Sequence, residues 1–256
     1  MQDTQEIHKE GEPEILPPID EKDLKILQDM MKAGLMYGHR KSKTDPRFKP
    51  YIYITRNGIE IIDLHQTLEC LEKAAEFIKT KIEGKGLILV VGTQPAAQET
   101  ARALAKKFGF AYVNERWIGG SLTNFKVISK RIEYFKKLQS DSEKGLLDKY
   151  TKKERVVINR KIERMKRMFT GLEDLTRMPD AMIIIDPSLK GHATALREAK
   201  IMNIPAVAIL DNDGNPDLVQ YPIPGNDHAK SSIEWIINTM AEKLSEERLE
   251  IKNPSE

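Results

Sequence analysis

Acidic residues fall where a parallel sheet would present them. Asp186, Asp211 and Asp213 stand at or just past the ends of predicted strands, and Asp227-His228 lies nearby in sequence. In open α/β sheets that edge is where ligands bind, and carboxylates there could hold a hard cation. Turn chemistry accounts for the same residues. Asp186 precedes Pro187, and Asp211-Asn212-Asp213-Gly214 is rich in turn formers. The turn reading is the expectation, so no metal is assigned.

A second candidate is the strand–turn–helix at Val90-Val91-Gly92-Thr93-Gln94-Pro95. A helix N-terminus after a buried strand offers free N–H groups and the positive end of a dipole, which suits a phosphate. Yet the chain contains neither GxGxxG nor GxxxxGK[ST], and Pro95 removes one donor. A plain turn, with Thr93 as cap and proline in the first helical turn, is expected instead. No histidine is paired at i+4 with another histidine or a glutamate, and no G-x-S-x-G surrounds a serine. His39 and His192 follow glycines and read as structural or RNA-facing. No cofactor and no catalytic residue is expected, and the protein reads as a non-enzyme.

Positive charge is the stronger signal. The 256 residues carry a net charge of only +2, but from Lys126 to Arg167 there are fifteen Lys/Arg against six Asp/Glu, a local +9 that leaves −7 for the rest. A second cluster holds Arg40, Lys41, Lys43, Arg47, Lys49 and Arg56, with Asp45 as its only acid. Segregated positive charge at low net charge suits a directed contact with a polyanion; a solvated helix face is the plainer account of the longer segment. Phe48, Tyr51 and Tyr53 interleave with the second cluster, and cations beside aromatics suit folded RNA. Tyr51 and Tyr53 are expected to point at least partly inward, with Arg and Lys outward. The candidate RNA-binding residues are Arg40, Lys41, Lys43, Arg47, Lys49, Arg116, Lys126, Lys130, Arg131, Lys152, Lys153, Arg160, Arg164 and Arg167.

Between these two basic regions lies Trp117-Ile118-Gly119-Gly120-Ser121-Leu122-Thr123-Asn124. Paired glycines beside a tryptophan predict a tight turn against a large ring. Trp117, Gly119, Gly120 and Asn124 are its candidate structural residues.

The elements that must position these groups follow from periodicity. A helix is expected from near Asp20, with Leu24, Leu27, Met31 and Leu35 on one face. Tyr51 to Ile54 and Ile59 to Ile62 read as strands around an Asn57-Gly58 turn. Asp63 can cap a helix whose stripe is Leu64, Leu68, Leu71, Ala75, Ile78 and Ile82. Buried strands are predicted between Gly86 and Gly92, at 110–113, 181–185 and 206–210, with helices at 95–108, between the last two strands (carrying Ala195, Ala199 and Met202), and at 227–244. This alternation is that of a parallel sheet with helices on both faces. Ile128, Ile132, Phe135 and Leu138 form one narrow stripe, and Ile158, Ile162, Met165, Phe169 and Leu172 another. They predict an antiparallel coiled-coil hairpin that projects and buries little against the sheet. The expected organisation is a flexible acidic tail (1–19), one α/β domain (20–120 with 176–245), an inserted hairpin (121–175) and a polar C-terminal tail (246–256). No apolar run reaches the length of a membrane-spanning helix. The acidic first residues are unlike a signal or transit peptide, and the single cysteine, Cys70, excludes an internal disulfide. A cytosolic protein is the expectation.

Several blocks, in order, resemble the bacterial-type small-subunit ribosomal protein two family. They are Ala33-Gly34 through Gly38-His39, Pro50-Tyr51-Ile52-Tyr53, Arg56-Asn57-Gly58, Val91-Gly92-Thr93, Asn114 to Asn124, Pro179-Asp180-Ala181, and Pro222-Ile223-Pro224-Gly225-Asn226-Asp227. The chain departs from the family pattern at Gln94-Pro95, where a basic pair is usual, and at His65. The resemblance implies an α/β fold with a flavodoxin-like parallel sheet and a protruding helical hairpin. It implies a structural constituent of the cytoplasmic small ribosomal subunit, bound to small-subunit ribosomal RNA. It also implies neighbouring ribosomal proteins, including the multi-OB-fold protein that captures messenger RNA. The competing reading is a nucleotide- or small-molecule-binding α/β enzyme with a coiled-coil insertion.

Overall fold

In the computed structural model the described residues are 21–147 and 149–250, with the side chains of 21–23 and 246–250 left aside. The acidic tail expected over 1–19 and the last six residues lie outside them. Five parallel strands form the main sheet: β4 (Ile88–Val91), β5 (Ala111–Val113), β6 (Ala181–Ile185), β7 (Ala206–Leu210) and β8 (Tyr221–Pro224), in the order β5-β4-β6-β7-β8. Counted from the first strand of that sheet, this is the doubly wound order 2-1-3-4-5 of flavodoxin-like folds. A separate antiparallel sheet has the order β1-β3-β2, from β1 (Tyr37–Arg40), β2 (Ile52–Arg56) and β3 (Ile59–Ile62). Asn57 and Gly58 join β2 to β3 with φ of 52° and 76°, as a tight hairpin of this hand requires.

Strand alternation divides the core into two layers. Ile88 and Val90, Ala181, Ile183 and Ile185, and Val207 and Ile209 face one side. There they meet α1 (Glu21–Ala33), α2 (Leu64–Glu83), α3 (Pro95–Phe108) and α7 (Lys230–Glu250). Leu89, Val91, Met182, Ile184, Ala206, Ala208 and Leu210 face the other side, against α6 (Lys190–Ile201), Phe48 and the bases of α4 (Phe125–Glu143) and α5 (Lys152–Phe169). β4, β6 and β7 are buried on both faces, which is why their sequences are continuously apolar.

Local signals set the helix starts. Asp63 accepts from the His65 N–H at 2.9 Å and opens α2. Thr151 and Glu154 form a reciprocal capping box at the start of α5. Thr93 does not cap α3, contrary to the sequence reading. Gln94 is the cap residue, and it makes no side-chain capping bond.

Other expectations change with tertiary packing. In α1 the buried face is Leu27 and Met30, followed by Leu35, while Leu24 and Met31 are exposed. Met202 lies past the end of α6 and is exposed, its place in the core taken by Ile204. Tyr51 is half-buried against Phe48, but Tyr53 points outward at 75% exposure. β1 and β8 were not foreseen. β8 carries Pro222 and Pro224, which a sheet accepts at its edge because the missing N–H is not needed there. The last helix continues to Glu250, past Leu244.

The interrupting segment is a pair of helices packed on each other. Ile128, Ile132 and Phe135 of α4 and Ile162, Met165 and Phe169 of α5 are buried, and the Phe135 and Phe169 rings lie 6.3 Å apart. Lys161 donates to the Tyr134 hydroxyl across the pair. The same seam residues continue into the core layer formed by Val113, Leu122 and Met182. Two narrow apolar stripes that converge at their bases can extend one core while their outer faces stay wet.

Candidate functional site

The octet is organised by a carboxylate that sequence reasoning missed. Glu198 of α6 is only 6% exposed. Its Oε1 accepts from the Trp117 indole N–H at 3.1 Å and the Gly120 N–H at 2.8 Å. Its Oε2 accepts from the Leu122 N–H at 3.0 Å and from the Thr123 N–H and hydroxyl, both at 3.3 Å. Burial alone pushes the Glu198 carboxyl up, but the hydrogen bonds from Gly120, Leu122, Trp117 and Thr123 outweigh it and hold the group below the usual carboxylate range. Trp117 is buried at 5% exposure, and Gly120 takes φ +86°, a conformation that penalises any side chain. Gly119 has no such demand: its φ is not positive, and a Cβ there would meet nothing within 4 Å. Asn124 is the cap position of α4 but makes no side-chain capping bond. Nothing in the sequence near Glu198 marks it, because it reads as an ordinary helix-face glutamate.

This turn feeds directly into α4, so its rigidity sets where the basic helix pair begins. Lys126, Lys130, Arg131, Lys152, Lys153, Arg160, Arg164 and Arg167 are all exposed, as is Arg116 beside the turn. Arg160, Arg164 and Arg167, with Val156, Asn159 and Glu163, line a shallow concavity on the outer face of α5.

The other basic cluster is clamped to the C-terminal edge of the main sheet by Asn212, which is fully buried. Its Oδ1 accepts from the His39 N–H, and its Nδ2 donates to the His39 carbonyl at 3.3 Å and the Thr44 hydroxyl at 2.7 Å. The Asn212 carbonyl accepts from the Asp45 N–H at 2.8 Å. Arg40, Lys41, Lys43, Arg47 and Lys49 stay exposed around this clamp, with Phe48 fully buried beneath them. Arg47 lies 3.6 Å from the Asp217 carboxylate in an exposed pair, which is worth little in water. Asn212→Ala removes three hydrogen bonds of one buried side chain and its shape, and leaves the backbone bond from Asp45 in place. It is expected to cost about 2–3 kcal/mol, read as a lower urea midpoint, and to raise protease sensitivity between Arg40 and Lys49.

The turn considered as a phosphate cradle is already occupied by protein. The buried His192 donates from Nδ1 to the Asp186 carbonyl at 2.7 Å, so its Nε2 is free to accept. That nitrogen takes the Thr93 N–H at 3.2 Å and the Thr93 hydroxyl at 2.9 Å. Burial pushes His192 below the usual imidazole range, consistent with a neutral ring. The crevice between β4 and β6, where a doubly wound fold would seat a nucleotide, is thus stitched shut at this point.

The structure brings the acidic residues together. Asp186, Asp211 and Asp227 are buried at the same sheet edge, joined by His39 and His228, whose rings meet edge to face at 4.9 Å. Asp227 Oδ1 and His228 Nδ1 are 2.6 Å apart. Burial pushes the Asp227 carboxyl up to about 8, and the hydrogen bond that its ring donates to Asp227 lifts His228 to about 9. Burial, then the hydrogen bond with Asp211, pushes Asp213 up to about 6.

Comparison with known proteins accords with this architecture. The family model described as ribosomal protein S2 matches residues 30–247. Small ribosomal subunit protein uS2 of Dictyoglomus turgidum is 42% identical over 223 residues, covering 87% of this chain and 90% of the relative. The uS2 protein of Thermus thermophilus is 40% identical over 229 residues, covering 90% and 89%. The uS2c protein of Emiliania huxleyi is 41% identical over 220 residues, covering 86% and 95%. The match takes in both sheets, the Trp117 turn and both basic helices, and such similarity over most of both chains leaves one assignment: the chain belongs to the ribosomal protein S2 family.

Proposed function

We propose that the protein is a structural constituent of the small ribosomal subunit and binds small-subunit ribosomal RNA through two basic surfaces on one rigid frame. The carrying observation is the placement of charge. All fourteen candidate Arg and Lys side chains are exposed, while Ile128, Ile132 and Phe135 of α4 and Ile162, Met165 and Phe169 of α5 turn into the core. Arg40, Lys41, Lys43, Arg47 and Lys49 form one surface, held by Asn212. Arg116, Lys126, Lys130, Arg131, Lys152, Lys153, Arg160, Arg164 and Arg167 form the other, held by the Glu198 turn. Trp117, Gly120 and Asn124 act on the RNA only through the backbone they shape. The chain works in the cytoplasmic ribosome. The part outside 126–167 carries −7, so some of the α/β body faces solvent or protein rather than phosphate. The multi-OB-fold messenger-RNA-capturing protein docks on that body.

Phosphate contacts release condensed counterions, so affinity for a structured small-subunit RNA fragment should fall steeply with salt. A log–log slope of magnitude about 5 or more is expected in filter binding, from on the order of six or more phosphate contacts. A slope near zero would remove RNA binding by these surfaces. Depleting the protein from cells should leave small subunits short of the messenger-RNA-capturing partner, and full occupancy by that partner would remove the docking role alone.

A further inference from the structure

The N-terminal edge of the main sheet, opposite the Asn212 clamp, carries a groove that the two basic surfaces leave unused. It measures about 290 Å³ and lies where β4 and β5 begin, between the turn after α2 and the end of α3. Ile82, Gly86, Phe108 and Phe110 line it, together with Lys85 and Arg177. That volume is below the roughly 300–1,000 Å³ of pockets for drug-sized ligands, so it suits a single flat ring. The turn beneath it is closely packed: a Cβ on Gly86 would stand 2.7 Å from the Lys81 carbonyl oxygen. The Phe108 and Phe110 rings are stacked, with 5.4 Å between centroids and 18° between planes, and both stay part-exposed. Gly109, at φ +76°, reverses the chain between them at the end of α3.

Arg177 is pinned by two bonds. Its Nη1 lies 2.6 Å from the Asp180 carboxylate, and its Nη2 donates to the Lys85 carbonyl at 3.2 Å. Asp180 is itself fixed by the Leu87 N–H, which donates to the same Oδ2 at 2.7 Å. That bond, and then Arg177, hold the Asp180 carboxyl below the usual carboxylate range. A guanidinium held in this way is a flat cationic surface that is already ordered for stacking on a base. Lys81 stands in the last turn of α2, and Lys106 and Lys107 in the last turn of α3. With Lys85 and Arg177 they make five cations against Glu83 and Asp180, and Asp180 is already paired with Arg177. Positive charge around exposed rings matches a polyanion that carries flat bases. The groove also sits at the C-terminal ends of α2 and α3, whose dipoles repel a phosphate placed there. A base therefore fits inside while its phosphates stay with the lysines of the rim. We propose that this groove takes one unpaired nucleobase of small-subunit ribosomal RNA, stacked on the Phe108–Phe110 pair and against the Arg177 guanidinium. The assignment rests on the RNA-binding reading above and adds to it a contact of a different kind, one that displaces no counterions.

The test uses the full chain and total small-subunit ribosomal RNA. Phe108→Leu together with Phe110→Leu keeps apolar side chains at the groove and removes both rings; circular dichroism checks the fold. In filter binding the double variant should lose about fivefold or more in affinity, the lower end of what one stacked base contributes. Its log–log salt slope should equal that of the parent, because a lost stack involves no counterions. Base-specific chemical probing of the bound RNA should show a position that the parent protects and the double variant leaves reactive. Arg177→Gln should make the same position reactive. The Arg177 side chain is 53% exposed, so this substitution breaks only surface bonds, and it carries the test alone if the double variant does not fold. Equal affinity and equal base reactivity in the parent and the folded variants overturn the site. A weaker variant whose salt slope also falls overturns the base in favour of phosphate contacts. Competition by free adenosine monophosphate at micromolar concentration overturns it in favour of a free-nucleotide site. Parent-like RNA binding with a neighbouring ribosomal protein lost from the particle overturns it in favour of a protein side chain. A parent that binds no RNA removes the RNA reading itself, which is distinct from a binding parent matched by its variants.

Discussion

Glu198→Ala is expected to destabilise the protein by about 3–5 kcal/mol, a loss out of proportion to one helix-face glutamate. The substitution strands the buried N–H groups of Trp117 and Leu122 and the part-buried N–H groups of Gly120 and Thr123 at once. Each unsatisfied buried donor costs about 1–3 kcal/mol, moderated where the turn can relax into water. For a domain of this size the melting temperature should fall by roughly 6–15 °C. Glu198→Gln should recover little, because its amide nitrogen would face N–H donors on one side. Trp117→Ala should also cost about 3–5 kcal/mol through lost burial. Because Trp117 and Glu198 share a bond, the double variant should be clearly less than additive. A Glu198→Ala protein within 1 kcal/mol of the parent would show that water serves the turn equally well.

The same residue sets an acid limit. Its folded carboxyl lies below the unfolded value of about 4.5. Its stabilising contribution is therefore fully present above about pH 4.5 and is lost as pH falls through the depressed folded value. Between neutral pH and that window, Glu198→Gln should be less stable than the parent, and the gap should narrow as the solution is acidified further.

Replacing Arg160, Arg164 and Arg167 together by Glu should weaken binding to the RNA fragment on the order of 1,000-fold or more, taking about 1.5 kcal/mol or more per lost charge-assisted contact. The magnitude of the salt slope should fall by about 3, one for each phosphate no longer neutralised. Stability should hardly change, because all three side chains are exposed on the outer face of α5, away from Ile162, Met165 and Phe169. Unchanged affinity in the folded triple variant would take α5 out of the RNA interface and leave the Arg40–Lys49 surface to carry binding.

Several features were decided by local sequence. The runs Ile88–Val91, Ala181–Ile185 and Ala206–Leu210 are apolar throughout because both faces of each strand are covered, and so they were legible as central strands. Pro95 and Gly109 bracket α3, Asn57-Gly58 fixes the hairpin, and Asp63 caps α2, each through backbone chemistry within a few residues. The segregation of charge into two clusters is likewise a property of the chain alone. Tertiary structure decided the rest, because the partners lie far apart in sequence. Glu198 reaches Trp117 from 81 residues away, and His192 reaches Thr93 from 99. Asn212 reaches His39 from 173. Periodicity reports which face is apolar, not which polar side chain a distant loop will need, so all three read as ordinary polar residues. β8 escaped notice because its two prolines deplete the strand signal, and only its edge position makes them tolerable. The acidic residues were visible as turn formers at strand ends. That their carboxylates converge with His39 and His228, each of Asp186 and Asp227 keeping an oxygen without a donor, depended on the order in which the sheet lays its strands side by side.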